Sequence, residues 1–450
     1  MRARSSGSDD IRNIGLASLG AALEYYDFIV YAFVAAALGQ AFFPPETSDL
    51  LKQVQVFSIY AVGYFIRPVA GLVIAHFADK LGRKKLFIFT VLMMSIPTLL
   101  IGVLPTYSQV GWLAPVFLLL LRVGQGCAVG GELPGAAVFV AEHAPPGRLL
   151  FSSGCLHGIV HLGLVLGAGM SILAALIAGT DPRLSSLAWR LPFLIGGVSG
   201  LIAAYLRRHL EETPQFLAIR KQRGISQRVP LAAVARTHWR ACLVGLGLGF
   251  YQVLAAAVFT QYMQTYLIAA VHLPGAVVST ANLVGIVVFA LSMPAWGWVA
   301  DRVGAFRIVV LTACISLASA AYFFSHLPGP GDDGGLLWLF VPVALTAGAV
   351  TALIPGLLAS LFPTEIRQSG YALPYNVGAA VFAGPALLVL AAAVRGYGIW
   401  AALAIYAAGC AVAIAAAVAL RSQPRFLGAG SAAPGGASQP AMQASQAPTA

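Results

Sequence analysis

Two short charged loops, Ala75-His-Phe-Ala-Asp79-Lys-Leu-Gly82-Arg83-Lys-Lys85 and Gly297-Trp-Val-Ala-Asp301-Arg302-Val-Gly304-Ala-Phe-Arg307, repeat one pattern inside an otherwise apolar chain. Asp79 and Asp301 are 222 positions apart, about half of the 450 residues, and each loop sits between two apolar runs long enough to cross a bilayer. A duplicated membrane bundle with matching loops in both halves is how many secondary transporters are built. Composition agrees: with 59% hydrophobic residues, 10% charged residues and a mean hydropathy of +0.83, a compact globule in water is excluded and lipid is the solvent.

Apolar runs of about twenty residues fall near 14–43, 54–78, 86–104, 113–140, 151–178 and 190–206, then near 240–268, 276–299, 308–326, 336–361, 370–393 and 397–420. The seventh run begins close to 222 positions after the first, so the repeat holds for helix order as well as for the loops. The expected fold is an all-α membrane protein of twelve transmembrane helices in two six-helix bundles, residues 14–206 and 240–420. Residues 1–13 are polar, and the run after them lacks a small-residue cleavage site, so the first run is expected to stay as a helix and not to be removed as a signal peptide. Cys127, Cys155, Cys242, Cys314 and Cys410 are scattered singly in apolar stretches, with neither metal-type nor disulfide-type spacing.

Orientation follows from the cations, because cytoplasmic loops hold Lys and Arg in excess. With the N-terminus inside, 21 of the 27 Lys and Arg fall on inner segments, four outside (Lys52, Arg183, Arg190, Arg395) and two within helices (Arg67, Arg122). Both termini are therefore expected in the cytoplasm. The net charge of +11 reads as a topology signal that also suits an anionic inner leaflet, and it requires no nucleic acid. Residues 207–239 read as a basic cytoplasmic linker whose opening, Arg207-Arg-His-Leu-Glu211-Glu212-Thr-Pro214, is suited to an amphipathic helix on the inner surface. Residues 328–335 are turn chemistry. The uncharged Ala, Gly, Ser, Pro and Gln of 428–450 predict a disordered end to the cytoplasmic tail, 421–450.

The paired loops resemble the signature loop of the major facilitator superfamily. Leu23-Glu24-Tyr25-Tyr26-Asp27-Phe28, Ile66-Arg67-Pro68, Leu121-Arg122-Val-Gly-Gln125-Gly126 with Gly130-Gly131-Glu132, Glu142-His-Ala-Pro-Pro, Leu210-Glu-Glu-Thr-Pro214 and Phe362-Pro363-Thr364-Glu365-Ile366-Arg367 resemble its metabolite:proton symporter branch. The resemblance covers about residues 14–427. It implies a monomer in the cell inner membrane that uses protons to import a small carboxylate such as 2-oxoglutarate, citrate or shikimate, or a zwitterion such as proline or betaine. No cofactor or metal is implied. An exporter of the same fold is the alternative, but exporters of the superfamily carry a Gly-Pro motif in helix five, and residues 151–178 contain no proline.

A charge at the bilayer centre costs roughly 2.5–3.5 kcal/mol on insertion scales, so surviving ones mark chemistry. Five survive, Glu24, Asp27, Arg67, Arg122 and Glu132, and all lie in the first half; at the 222 offset their counterparts are not ionisable. Glu24 and Asp27 are three apart on a helix and share a face. Two carboxylates that close in a low dielectric repel, which favours a bound proton. At 1.5 Å per residue, Asp27 lies roughly 20 Å and Arg122 roughly 14 Å into their helices, both in the middle third. Arg122 then serves as counter-ion to Asp27 when the site is empty, and as a fork for a substrate carboxylate when Asp27 is protonated. The competing reading is a permanent ion pair between helices one and four. Glu132, nearer the cytoplasmic end, suits a gate or packing role.

Other candidates for substrate contact are Tyr26, Arg67 and Gln125 in the first half and Tyr251, Gln252, Gln261, Asn282, Tyr375 and Asn376 in the second, where some are expected to line the cavity but each alone reads first as a join between helices. His157 and His161 are one turn apart without metal-type partners; specificity, proton relay and packing stay open. Gly126/Gly130, Gly163/Gly167 and Gly245/Gly249 predict close helix crossings. The resemblance makes Asp79, Arg83, Glu142, Arg148, Asp301, Arg302, Glu365 and Arg367 a cytoplasmic gate, with Glu142/Arg148 and Glu365/Arg367 in corresponding positions; a permanent staple has the same sequence. Ala75 stands where the family pattern has glycine, which puts the strength of the first latch in question.

Overall fold

The computed structural model describes residues 7–180, 187–208, 212, 231–329 and 335–421, and the regular elements among them are helical. The first half holds α1 (Gly7–Phe33), α2 (Ala35–Phe42), α3 (Asp49–Leu81), α4 (Arg83–Val103), α5 (Leu113–His143), α6 (Leu149–Thr180) and α7 (Arg190–Arg207). The second holds α8 (Trp239–Ile268), α9 (Gly275–Val303), α10 (Ala305–Ser325), α11 (Leu336–Ser360), α12 (Thr364–Tyr397) and α13 (Trp400–Arg421). Ten of these are long and apolar enough to cross a membrane, and α1 with α2, bent by 65° between them, is together long and apolar enough for an eleventh. The twelfth is α7, 18 residues with an arginine at each end. That length spans about 27 Å at 1.5 Å per residue.

The twin loops are one-residue turns. Gly82, at φ 107°, ends α3 and starts α4, and Gly304, at φ 100°, ends α9 and starts α10. Glycine enters that left-handed region without steric cost, so these two positions let the chain reverse at once after each charged cluster. The sequence places one continuous run at 14–43; instead the chain turns at Val34, and α2 buries Leu38 and Phe42 among Tyr31, Val56, Trp189 and Phe193. Residues 7–13, expected in a tail, extend α1. In α8 and α12 a π-helical turn interrupts the ladder, at Ala256–Tyr262 and Ala379–Ala383. Such turns shift the face a helix presents and often mark functional positions.

Small residues set the crossings. A Cβ on Gly126 or Gly130 would lie under 3 Å from α3 backbone, one on Gly163 would lie 2.1 Å from the Ala22 carbonyl oxygen, and one on Gly167 would lie 2.9 Å from Ile29. The Gly245/Gly249 pair is corrected in part: Gly245 meets Pro374, but nothing approaches Gly249. Across the halves, α6 lies on α9 through Gly154, Gly158 and Gly297, where an added Cβ would meet backbone oxygen at 2.4, 2.7 and 2.2 Å. Most of the linker 207–239 and all but Arg421 of the tail lie outside the described residues; within the linker, Leu231–Thr237 forms a short helix.

Candidate functional site

Arg122 on α5 is fully buried. Its Nη1 donates to Gln125 Oε1 at 2.8 Å, and the guanidinium carbon sits 4.6 Å from the ring centres of both Tyr31 and Tyr60. Gln125 Nε2 in turn donates to Thr98 Oγ1 at 2.8 Å, and Thr98 lies beside the Asp27 carboxylate. Thr98 and Gln125 thus stand between Asp27 and Arg122, across α1, α4 and α5, with the Thr98 hydroxyl donating to the Met94 carbonyl at 2.9 Å. Asp27 Oδ1 is buried without a hydrogen-bond partner, and Gly196 of α7 makes room for it, since a Cβ there would lie 2.2 Å away. A buried unpartnered carboxylate oxygen is costly as an anion and is a natural seat for a proton.

Glu24 shares the α1 face but looks elsewhere. It is 5% exposed, its Oε2 has no hydrogen-bond partner, and Glu132, Arg67 and Arg207 on other helices lie within electrostatic reach of it, as Asp27 does. Glu24 therefore has a like charge from another helix, Glu132, in its surroundings as well as Asp27, which spacing along α1 does not reveal. Arg67 packs 4.2 Å over the ring of Tyr64, whose hydroxyl meets that of Tyr60 at 3.4 Å. Tyr25 from the first half and Tyr375 from the second both lie within electrostatic reach of Arg67 and Glu24. The sequence reading passed over Tyr31, Tyr60 and Tyr64, although Tyr60, Tyr64 and Arg67 at i, i+4 and i+7 declare one helical face.

Glu132 binds Arg207 and the Thr90 hydroxyl, and Arg207 also donates to the Phe87 and Ala17 carbonyls. Arg207, read from sequence as the first linker residue, is 1% exposed. Four elements meet on this guanidinium, which is the bonding of a structural ion pair.

The gate candidates divide. Asp79 Oδ2 accepts from the Ser369 N–H at 3.0 Å and its hydroxyl at 2.7 Å, at the first turn of the α-helical part of α12. Arg83 lies 3.5 Å from both Asp79 and Glu142 and donates to the Thr364 carbonyl, while Arg367 donates to Glu142 at 3.1 Å. Glu212 accepts from the backbone N–H groups of Arg83 and Lys84 at the start of α4. In the second loop Asp301 accepts from the N–H groups of Leu150 and Phe151 at 3.0 and 2.8 Å. Each loop aspartate thus caps the N-terminus of a helix in the opposite half, where the helix dipole favours an anion. The first loop, which carries Ala75, holds more polar contacts than the second. Arg148, exposed, lies near Asp301; Arg302 stacks on Trp298, and Glu365 is exposed.

Several substrate candidates bond to other groups of the protein. Tyr26 donates to the Pro192 carbonyl at 2.9 Å, tying α1 to α7. Tyr251 is fully buried in a hydroxyl cluster with Ser316 and Tyr406, and Asn282 bonds the Thr260 carbonyl and Gln264 within the second half. His161 bonds the His157 carbonyl and packs on Phe289. His157 and Asn376 bond backbone carbonyls of the opposite half. Gln252 is half-buried and Gln261 exposed.

A family model described as Major Facilitator Superfamily matches residues 17–379. The glycine betaine/proline/ectoine/pipecolic acid transporter OusA of Dickeya dadantii is 35% identical over 380 residues, covering 81% of this chain and 74% of that protein. The shikimate transporter of Escherichia coli K12 is 32% identical over 413 residues, covering 90% and 93%. Among solved structures, the proton:xylose symporter XylE superposes with a TM-score of 0.72 at 17% identity over 92% of this chain and 96% of that one. The transporter FucP in its outward conformation gives 0.70 at 16% over 92% and 100%, likenesses of fold. The family match runs from the first helix into α12, and the chain belongs to the Major Facilitator Superfamily as a transporter and not an enzyme.

Proposed function

We propose that the protein imports a small carboxylate or zwitterionic metabolite together with protons by alternating access, as a multi-pass protein of the inner membrane with both termini in the cytoplasm. The observation that carries this reading is Asp27: 1% exposed, one oxygen without a hydrogen-bond partner, and beside Thr98, which accepts from Gln125, the partner of the buried Arg122. The relatives are named for betaine, proline, ectoine, pipecolic acid and shikimate. These solutes have a carboxylate in common, the group that an arginine fork binds best.

In this mechanism the side carrying the twin loops is shut, and Asp27 takes its proton from the opposite side. Protonated Asp27 donates to Thr98 Oγ1, whose second lone pair is free to accept, and its field on Arg122 is lost. Arg122, with Arg67, then holds the substrate carboxylate against the tyrosines of α3. Release of the Asp79 and Asp301 caps opens the cytoplasmic side, where proton and solute leave. Proteoliposomes with an imposed pH gradient, inside alkaline, test this with proline, glycine betaine and shikimate. Accumulation that a protonophore collapses is expected for at least one; uptake driven by a sodium gradient alone, or none of the three accumulating under the proton gradient, would contradict it.

A further inference from the structure

Proline inside a helix lacks an N–H and leaves the carbonyl four residues earlier without its donor. Pro134 in α5 and Pro355 in α11 occupy matching places in the two halves, and the carbonyls they strip are those of Gly130 and Thr351. Both carbonyls are buried, where an unpaired acceptor is expensive. Asn376 of α12 donates Nδ2–H to the Gly130 oxygen at 2.7 Å. His157 of α6 lies with Nδ1 2.8 Å from the Thr351 oxygen; a carbonyl only accepts, so Nδ1 carries the proton.

The arrangement is doubly crossed. The second half mends the first, and the first mends the second. Both donors are fully buried, and this bond is the one their side chains make among the described residues, since Asn376 Oδ1 and His157 Nε2 are left without partners. The fit is built on the receiving side too: a Cβ on Gly71 would lie 2.3 Å from Asn376 Nδ2. Beside Pro355 the Ser153 hydroxyl is inserted into the α11 ladder, accepting from the Gly356 N–H at 2.9 Å and donating to the Ala352 carbonyl at 2.6 Å.

We propose that His157 and Asn376 are a symmetric pair of gate-positioning residues: each supplies, from the opposite half, the donor that a proline has removed, and so stabilises the state closed on the side of the twin loops. Opening that side parts α6 from α11 and α5 from α12, and the carbonyls pass to entering water. The pair works through helix geometry and not through contact with the solute. This rests on alternating access alone, not on the proton or the substrate proposed above.

The test is a cycle of substitutions in the full-length protein, with a Ser360→Cys reporter at the end of α11 labelled by an impermeant maleimide from the cytoplasmic face. His157→Leu and Asn376→Leu should each raise the labelling rate by about three- to tenfold, the worth of one buried hydrogen bond, while His157→Gln, which keeps a donor, restores it. Pro355→Ala returns the missing N–H and should reduce the His157→Leu effect to under twofold, leaving the Asn376→Leu effect unchanged; Pro134→Ala should do the reverse. Equal effects of His157→Leu with and without Pro355, or a raised KM with unchanged labelling, would overturn the proposal.

Discussion

The two halves share one backbone plan and differ in what they bury. In the first, Glu24, Asp27, Lys52, Arg67, Arg83, Arg122, Glu132, Glu142 and Arg207 are all shielded from solvent; in the second, the buried polar side chains among the described residues are hydroxyls and amides. Packing needs are the same in both, so packing alone does not explain the difference. A buried ion pair is no more stabilising than apolar side chains of the same volume. Of the nine, Glu132 and Arg207 bond each other; it is the charges around Asp27, Arg67 and Arg122 on which the proposed task of this half rests, while the second half is braced by clusters such as Tyr251, Ser316 and Tyr406. The twin loops differ in the same sense: charges and a helix cap at Asp79, a cap at Asp301.

The largest break of this comparison is at Glu132 and Arg207. Removing either partner alone, as in Arg207→Leu, strands a buried charge and should cost about 3–5 kcal/mol, read as a large loss of thermal stability in detergent. Glu132→Gln with Arg207→Leu should recover most of it, which would identify the pair as scaffold and not as proton carrier.

The matched loop positions give a second, smaller contrast. Gly297→Ala places a Cβ 2.2 Å from the Leu150 oxygen and should loosen the α6–α9 contact by about 1–3 kcal/mol, the usual cost of overpacking. Ala75→Gly should change stability by under about 1 kcal/mol. Hydrogen exchange at the start of α6 and of α12 reads both. Equal effects would erase the distinction between backbone-on-backbone contact in one latch and side-chain bonding in the other.

The smallest effect is expected at the hydroxyls placed in packing. Tyr26→Phe and Tyr251→Phe each remove one buried hydrogen-bonding group and should lower stability by about 0.5–1.5 kcal/mol, with KM for the transported solute unchanged. A rise in KM at Tyr251 would return the second half to substrate binding.

The crossings, the twin loops and the five buried charges of the first-half helices were legible in the chain because each rests on local pattern: a run of twenty apolar residues, a glycine turn, a charge with no apolar excuse. What escaped depends on contacts between distant segments. Arg207 looks like linker because Arg208 and the basic residues after it follow in sequence, and only the fold carries it to Glu132. His157 and Asn376 look like ligands because a polar side chain in an apolar helix announces a need but not a partner; the partners are carbonyls, which every residue has. The prolines supply that clue, four residues downstream of each acceptor. Tyr60, Tyr64 and Arg67 were readable as one face, and the bend at Val34 was not, since neither proline nor glycine stands there.

The central claim is that Asp27 couples the proton to the solute. Asp27→Asn keeps the shape and removes the titrating group, so the variant should retain solute counterflow at equal pH on both sides, within a few-fold of the parent protein. Its pH-gradient-driven accumulation should be lost. Gradient-driven accumulation by Asp27→Asn at the parental level, measured in the same vesicles as its counterflow, would contradict the account.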